Sequence, residues 1–450
     1  MKKILPFVIV LVLIPLTSGN WNMFMHDEEH TGFNDIDMQN INAVIWSFDL
    51  EGRVCSSPVI VENVIYIGSE KYFYAIDLNG NILWKKEMNI LWSSPTILDN
   101  IYIGTWDGYV YCLNKDGEII WDIELGKEIR GSPLVYKDRI FIGTGGLNPS
   151  FYCIDALTGE IQWSYKTISP IKTSASAWND RIYIVFQNDI YADELYCFDL
   201  DGNLVWKYKT SDVPEGVCIP PIATRKTQFV TSSPTIYKDR VYFGSGEKKA
   251  YCIDCKTGEL IWEFKTKETK WMKEYATGED RIISTLAAAY DMVYFGSWDN
   301  TVYALDADTG SEIWTFLTGD KTISSPAIAD GMVYLGCMDG HFYCFDSDGN
   351  ILGDFKLGKV LGSPSISNGY VFVPAGSKLY CLGEKAQEIK ETKTEENGNP
   401  SSKTYYIIGA VIGIVILIAI GMKKSRKKIK VQLKPLLKFS KLLKVRCLRI

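Results

Sequence analysis

Residues 93–121 read Ser93-Ser94-Pro95-Thr96-Ile97-Leu98-Asp99-Asn100-Ile101-Tyr102-Ile103-Gly104-Thr105-Trp106-Asp107-Gly108-Tyr109-Val110-Tyr111-Cys112-Leu113-Asn114-Lys115-Asp116-Gly117-Glu118-Ile119-Ile120-Trp121. Four short runs of β-branched and aromatic residues are separated by Asp99-Asn100, Trp106-Asp107-Gly108 and Lys115-Asp116-Gly117. Alternation at period two between such turn residues predicts short antiparallel strands joined by hairpins. The strands are called a (the Ser-Pro run), b (Ile-Tyr-Ile-Gly), c (Tyr-Cys-Leu) and d (Ile-Ile-Trp).

The unit recurs along the chain. Strand a carries its proline, or the equivalent residue, at Pro58, Pro95, Pro133, Ala175, Pro234, Leu286, Pro326 and Pro364. Strand d ends on Trp84, Trp121, Trp163, Trp206, Trp262 and Trp314, with Gly353 in the seventh unit. A four-stranded repeat of roughly 40 residues predicts a β-propeller, all-β, of eight blades. The eighth unit stops after Tyr380-Cys381-Leu382, and a spare d-strand containing Trp46 precedes the first. Because unpaired strand edges invite aggregation, residues 43–48 are expected to complete the eighth blade and close the ring.

Outside the repeat the composition changes. Residues 1–19 read as a secretory signal, with Lys2-Lys3, an apolar run to Leu16 and small residues after it. Residues 20–42 form a lead-in segment, expected as a strand or cap on the propeller rim, and 43–383 form the propeller. Residues 384–404 read as a polar stalk. Residues 405–422 are apolar, uncharged and long enough for one transmembrane helix. Residues 423–450 carry twelve Lys/Arg and no acid, which places this tail in the cytoplasm and the propeller outside the cell. With those cations set aside the body is acidic although the whole chain is only −6, so no nucleic-acid partner is expected.

Three patterns suggest chemistry and are set against simpler readings. His26-Asp27-Glu28-Glu29-His30 fits a zinc-peptidase pattern, but that pattern needs a stable helix and a cleft. Asp199-x-Asp201-Gly202-Asn203 and Asp346-x-Asp348-Gly349-Asn350 resemble pieces of a calcium loop, yet both occupy the c–d turn, where Asp-Gly is favoured for backbone reasons. Of eleven cysteines, six (Cys112, Cys153, Cys197, Cys252, Cys344, Cys381) follow the strand-c tyrosine where two other blades have alanine, as small buried hydrophobes do. Cys55, Cys218 and Cys337 fall on the opposite face from the short turns. No metal site is expected from any of these.

The b–c and d–a connections emerge on one face, and the long ones (144–150, 186–194, 207–231 and 263–283) all belong to it. Insertions confined to one face of a repeat array commonly mark the binding face. The same face is expected to carry Trp92 before strand a of the second blade and Trp106 and Trp298 just after strand b, with Trp271 in the second long d–a insertion; these four are the candidate binding residues.

The segment Ala304-Leu305-Asp306-Ala307-Asp308-Thr309-Gly310-Ser311-Glu312-Ile313-Trp314 resembles the tryptophan-docking motif of the pyrroloquinoline quinone (PQQ) repeat family. Residues 153–163 and 252–262 match with Cys for Ala, and Trp21-x-x-Phe24 with His30-Thr31-Gly32 is similar to the lead-in of exported members. The resemblance implies W-shaped blades locked by Trp46, Trp84, Trp121, Trp163, Trp206, Trp262 and Trp314. It also implies, for the dehydrogenases of the family, PQQ held against a disulfide of adjacent cysteines with calcium and a catalytic Asp. This chain has no Cys-Cys pair and no C-x-x-C-H. The expectation is therefore a membrane-anchored, non-enzymatic propeller without cofactor that binds or scaffolds a protein or glycan partner. The alternative is a PQQ-type redox enzyme of unusual construction.

Overall fold

The computed structural model describes residues 19–187, 193–210, 232–267 and 281–385. Within them the four-strand unit is a separate antiparallel sheet eight times over, in the order a-b-c-d. The second blade, for example, is Thr96–Ile97, Ile101–Gly104, Tyr109–Leu113 and Ile119–Glu124. Strands a, b and c are buried on both faces, whereas d alternates exposed and half-buried residues, as an outer edge with one solvated face does. The a–b hairpins turn through two residues with positive φ, at Lys137-Asp138, Asn179-Asp180 and Lys238-Asp239 among others. That backbone is the I′ type whose twist matches the flanking strands.

The eighth blade is Ser365–Ser367, Tyr370–Ala375 and Lys378–Gly383, completed by Ala43–Asp49. Ala43 pairs with Gly383, Trp46 with Cys381 and Asp49 with Lys378. The ring is thus closed by joining the two ends of the repeat in one sheet.

Each docking tryptophan lies against the c–d turn of the next blade. Trp46 faces Gly80, Trp84 faces Gly117, and the series runs on to Trp314 over Gly349. A Cβ on Gly310 would stand 2.6 Å from the Trp262 ring, so the positive-φ turn must be glycine both for its backbone and for the close approach. The indole N–H donates to a carbonyl of the same turn, from Trp46 to Leu78 at 2.9 Å and from Trp262 to Ala307 at 3.0 Å. The seventh blade has Gly353 in place of Trp, with Phe355 folded over it. Its neighbour is the eighth blade, whose strands c and d belong to opposite ends of the chain. The one blade without a docking tryptophan is therefore the one whose neighbour has no continuous c–d turn to receive it.

The lead-in corrects the expectation of a cap on the rim. It runs inside the ring along the innermost strands. Trp21 exchanges backbone hydrogen bonds with Ile60, and Ile97 donates to Asn22. Ala177, Ile236, Ala288 and Ile328 then donate to Glu28, Glu29, Thr31 and Gly32 in turn. Strand a is the inner edge of every blade and has only b beside it. The lead-in therefore supplies partners to N–H groups that would otherwise be buried alone. The connection between strands b and c of the fourth blade also differs from expectation at its start: the hairpin simply continues, with Phe186 opposite Glu194 and Gln187 opposite Asp193.

A blind cationic funnel at the propeller axis

Strand a begins in each blade with a hydroxyl residue, and these eight form a closed ring. The backbone N–H of Ser57 donates to Ser94 Oγ at 2.9 Å, and that of Ser94 to Ser132 Oγ at 2.9 Å. The pattern continues through Ser174, Ser233, Thr285, Ser325 and Ser363, whose own N–H donates back to Ser57 Oγ at 3.0 Å. Bonding every blade to the next at the axis leaves a rigid collar. The lead-in crosses three residues further along each inner strand, at Ile60, Ile97, Ala177, Ile236, Ala288 and Ile328. The channel thus becomes a blind funnel with a cavity of about 320 Å³, opening on the face of the long connections and floored by Phe24.

The wall above the collar is set by the residue two positions before each hydroxyl. Blades two, three and four place Trp92, Arg130 and Lys172 there, while blades six, seven and eight place Ile283, Ile323 and Leu361. Arg281 joins the lining near Ile283, and Trp298 stands beside it because the Trp298 backbone N–H donates to the Arg281 carbonyl at 3.0 Å. Arg130 and Arg281 are both buried. The Arg130 guanidinium lies over the Trp106 ring at 4.7 Å and pairs with Glu128 at 3.3 Å. Trp298 receives two cations, Arg281 at 5.6 Å and Lys321 at 4.3 Å from its centroid.

Burial pushes the Lys172 ammonium down to about 8; the Arg130 charge presses the same way, Glu128 opposes it, and Arg281 adds the smallest push downward. Three cations thus converge on one half-apolar pocket and give its lining a positive charge, with Glu128 paired to Arg130. The opposite wall of Ile323 and Leu361 favours a ligand with an apolar side. Cys55 also lines the funnel, its thiol raised to about 12 by burial and so held as a neutral thiol. No carboxylate lines the cavity among the described residues, and no group of three metal-ligating side chains occurs among them.

Of the four candidate tryptophans, the structure brings Trp92 and Trp298 into the funnel and sets Trp106 behind Arg130. Trp271 lies outside the described residues, as does Cys218. The zinc-peptidase pattern is not helical; Met25, His26 and His30 have positive φ, His26 faces Asp27, and the buried His30 bonds the Pro234 carbonyl. In the calcium-like turns the Asp oxygens are already engaged. Asp199 accepts from the N–H groups of Asp201 and Asn203, and Asp346 from those of Asp348 and Asn350. The six strand-c cysteines are buried and free.

Arg130, Lys172 and Arg281 were not among the sequence candidates. A signal exists: once the repeats are aligned on the strand-a hydroxyl, Arg130 and Lys172 occupy a register that is apolar in blades six to eight.

The chain is 24% identical over 220 residues to the dehydrogenase subunit of the quinone alcohol dehydrogenase of Komagataeibacter europaeus, covering 44% of this chain and 27% of that protein. It therefore spans about a quarter of the length of that relative. Among solved structures, the quinohemoprotein alcohol dehydrogenase from Comamonas testosteroni superposes with a TM-score of 0.66 at 14% identity, over 88% of this chain and 85% of that one. BamB from Moraxella catarrhalis superposes with a TM-score of 0.58 at 16% identity, over 77% and 98%. These likenesses establish the shared fold. The expectation of a non-enzymatic binding or scaffolding module is corrected by the sequence relatives, which are quinone alcohol dehydrogenases. That expectation leaned on missing adjacent cysteines and missed the funnel, whose cations come together only in the folded ring. A family model described as outer membrane protein assembly factor BamB matches residues 74–278 and 252–352, and with its repeated tryptophan-docked blades the chain belongs to this PQQ-repeat family.

Proposed function

We propose that the chain is a redox protein of the quinoprotein type, with its funnel as the seat of PQQ or a closely related polycarboxylated o-quinone. The observation that carries this reading is the convergence of Arg130, Lys172 and Arg281 between Trp92 and Trp298 in one blind cavity. PQQ is planar and bears three carboxylates, so three cations and flanking indoles suit it. The buried Trp298 Nε1 has no hydrogen-bond partner among the described residues, which leaves a donor for such a ligand. Bound there, an o-quinone would supply a two-electron acceptor for oxidation of an alcohol. The protein's part is to hold the carboxylates with the three cations and fix the ring between the indoles. Ile283, Ile323 and Leu361 keep water from that side. The described lining does not fit a calcium ion, having no carboxylate to bind one, and no step is assigned to that metal.

The test is a titration of the purified full chain with PQQ, followed by quenching of tryptophan fluorescence. Saturable one-to-one binding in about the micromolar range is expected, weakened at least about tenfold by Arg281→Met, which removes a charge-assisted contact. Absence of saturable binding up to roughly 1 mM, a level at which even a weak site fills, would overturn the reading. Dye-linked alcohol oxidation by the loaded protein is the second measurement.

We also propose that residues 405–422 cross a membrane once, with the propeller outside and the basic tail inside. The uncharged apolar run and the twelve cations beyond it support this topology.

A further inference from the structure

We infer that the lead-in segment is itself part of the binding site, and that Phe24 is a specificity-determining contact that sets how deep a planar ligand enters. This rests on the funnel being the ligand seat. Phe24 is the lead-in residue that lines the cavity. Its neighbours fix its direction. Met23 is buried among Leu134, Phe141, Ala175 and Ala177 of the third and fourth blades. Met25 is buried on the far side with Ala287, Ile328 and Cys337 of the sixth and seventh. Between these two anchors Phe24 packs, half-buried, against the sixth- and seventh-blade cluster and presents the rest of its ring to the cavity.

His30 meets that ring in a T-shaped contact, at 5.4 Å between centroids and 80° between planes. His30 is fixed in turn by Nδ1 at 3.1 Å from the Pro234 carbonyl and by complete burial. Burial holds its imidazole down at about 4, so the ring packed against Phe24 is uncharged at neutral pH. A charged imidazolium would favour a polar group above it. A neutral one leaves an aromatic floor under a cationic wall.

That pairing of surfaces selects for shape as well as charge. A small polyanion meets Arg130, Lys172 and Arg281 on the wall and has no need of the floor. A fused-ring polycarboxylate must also place an aromatic body at the axis, where Phe24 meets it. The lead-in therefore adds to the propeller a discrimination that the eight repeats cannot make by themselves.

The full chain is titrated with two probes, PQQ and benzene-1,2,4-tricarboxylate, for wild type, Phe24→Ala and Phe24→Leu. Loss of one aromatic contact predicts that Phe24→Ala weakens PQQ by about five- to tenfold and leaves the single-ring probe within about twofold. Phe24→Leu, which keeps an apolar side chain over His30, is expected to weaken PQQ less and to keep the wild-type melting temperature. PQQ affinity unchanged in a folded Phe24→Ala protein overturns the inference while leaving the funnel as the seat. Equal loss of both probes overturns it too, since Phe24 would then only hold the lead-in in place. Failure of the wild type to bind either probe refutes the funnel reading itself.

Discussion

Lys172 offers the sharpest test of an anion site at the axis. Its ammonium titrates at about 8 because it is partly buried and shares the funnel with Arg130 and Arg281. With that value about nine-tenths of the side chains are charged at pH 7 and about one-tenth at pH 9. Binding of an anion that needs the charged form should therefore weaken about ninefold over this interval by linkage. A charge-assisted hydrogen bond is worth about 1.5–3 kcal/mol, so the neutral amine can lose at least that factor. The assay is a PQQ titration of the full chain at half-unit steps from pH 6.5 to 9.5 at fixed ionic strength. Lys172→Met should bind about tenfold or more weakly at pH 7 with a flat profile, and Lys172→Arg should bind well with a flat profile. The empty protein gives an independent check. A lysine whose folded value is lowered has fewer bound protons folded than unfolded between about 8 and its ordinary 10.5, so stability rises with pH through that window. Lys172→Met should remove this rise. A wild-type affinity independent of pH, or a slope that persists in Lys172→Met, would refute the reasoning.

The other expectations are briefer. Trp46→Ala removes a half-buried indole and its hydrogen bond to Leu78, at a cost of about 2–3 kcal/mol in urea unfolding. Trp262, the more deeply buried equivalent, should cost more; a loss below about 0.5 kcal/mol at Trp46 would contradict its role in closing the ring. Asp193 is buried, accepts from the Gly246 N–H at 2.8 Å and is raised to about 7, mainly by burial. A raised carboxylate stabilises fully below its unfolded value of about 4 and loses that contribution as pH climbs through 7. Asp193→Asn should therefore flatten the melting-temperature profile between those limits; an unchanged profile would sink the assignment. Protease added to intact cells should remove the propeller and spare the basic tail, and tail digestion without lysis would contradict the single span.

The blades were legible in the chain because strand alternation repeats eight times and the turn glycine with its docking tryptophan seven times, and both signals are local. Ring closure was legible for the same reason, since the strand missing after Leu382 is the strand left over at Trp46. Gly353 was visible as an exception but its cause was not. That cause is the break in the eighth blade's c–d turn, a fact about neighbours in space. The lead-in was misplaced because a segment without periodicity gives no sign of which surface it will cover. Its hydrogen bonds run to seven different blades.

The binding surface divides in the same way. Sequence alone placed Trp92, Trp106 and Trp298 in connections on one face, because hairpin order dictates the end of a blade at which each connection emerges. It did not show Trp92 and Trp298 converging on an axial cavity, nor the cations beside them. Arg130, Lys172 and Arg281 belong to three connections spread over 152 residues of chain, and no local pattern joins them. Only closure of the ring sets them around one funnel, where burial and the neighbouring guanidinium charges hold the Lys172 ammonium down. The sequence by itself determined the blade, because a blade is built from neighbours along the chain. The tertiary structure decided the site, because an axis exists only when all eight blades stand around it.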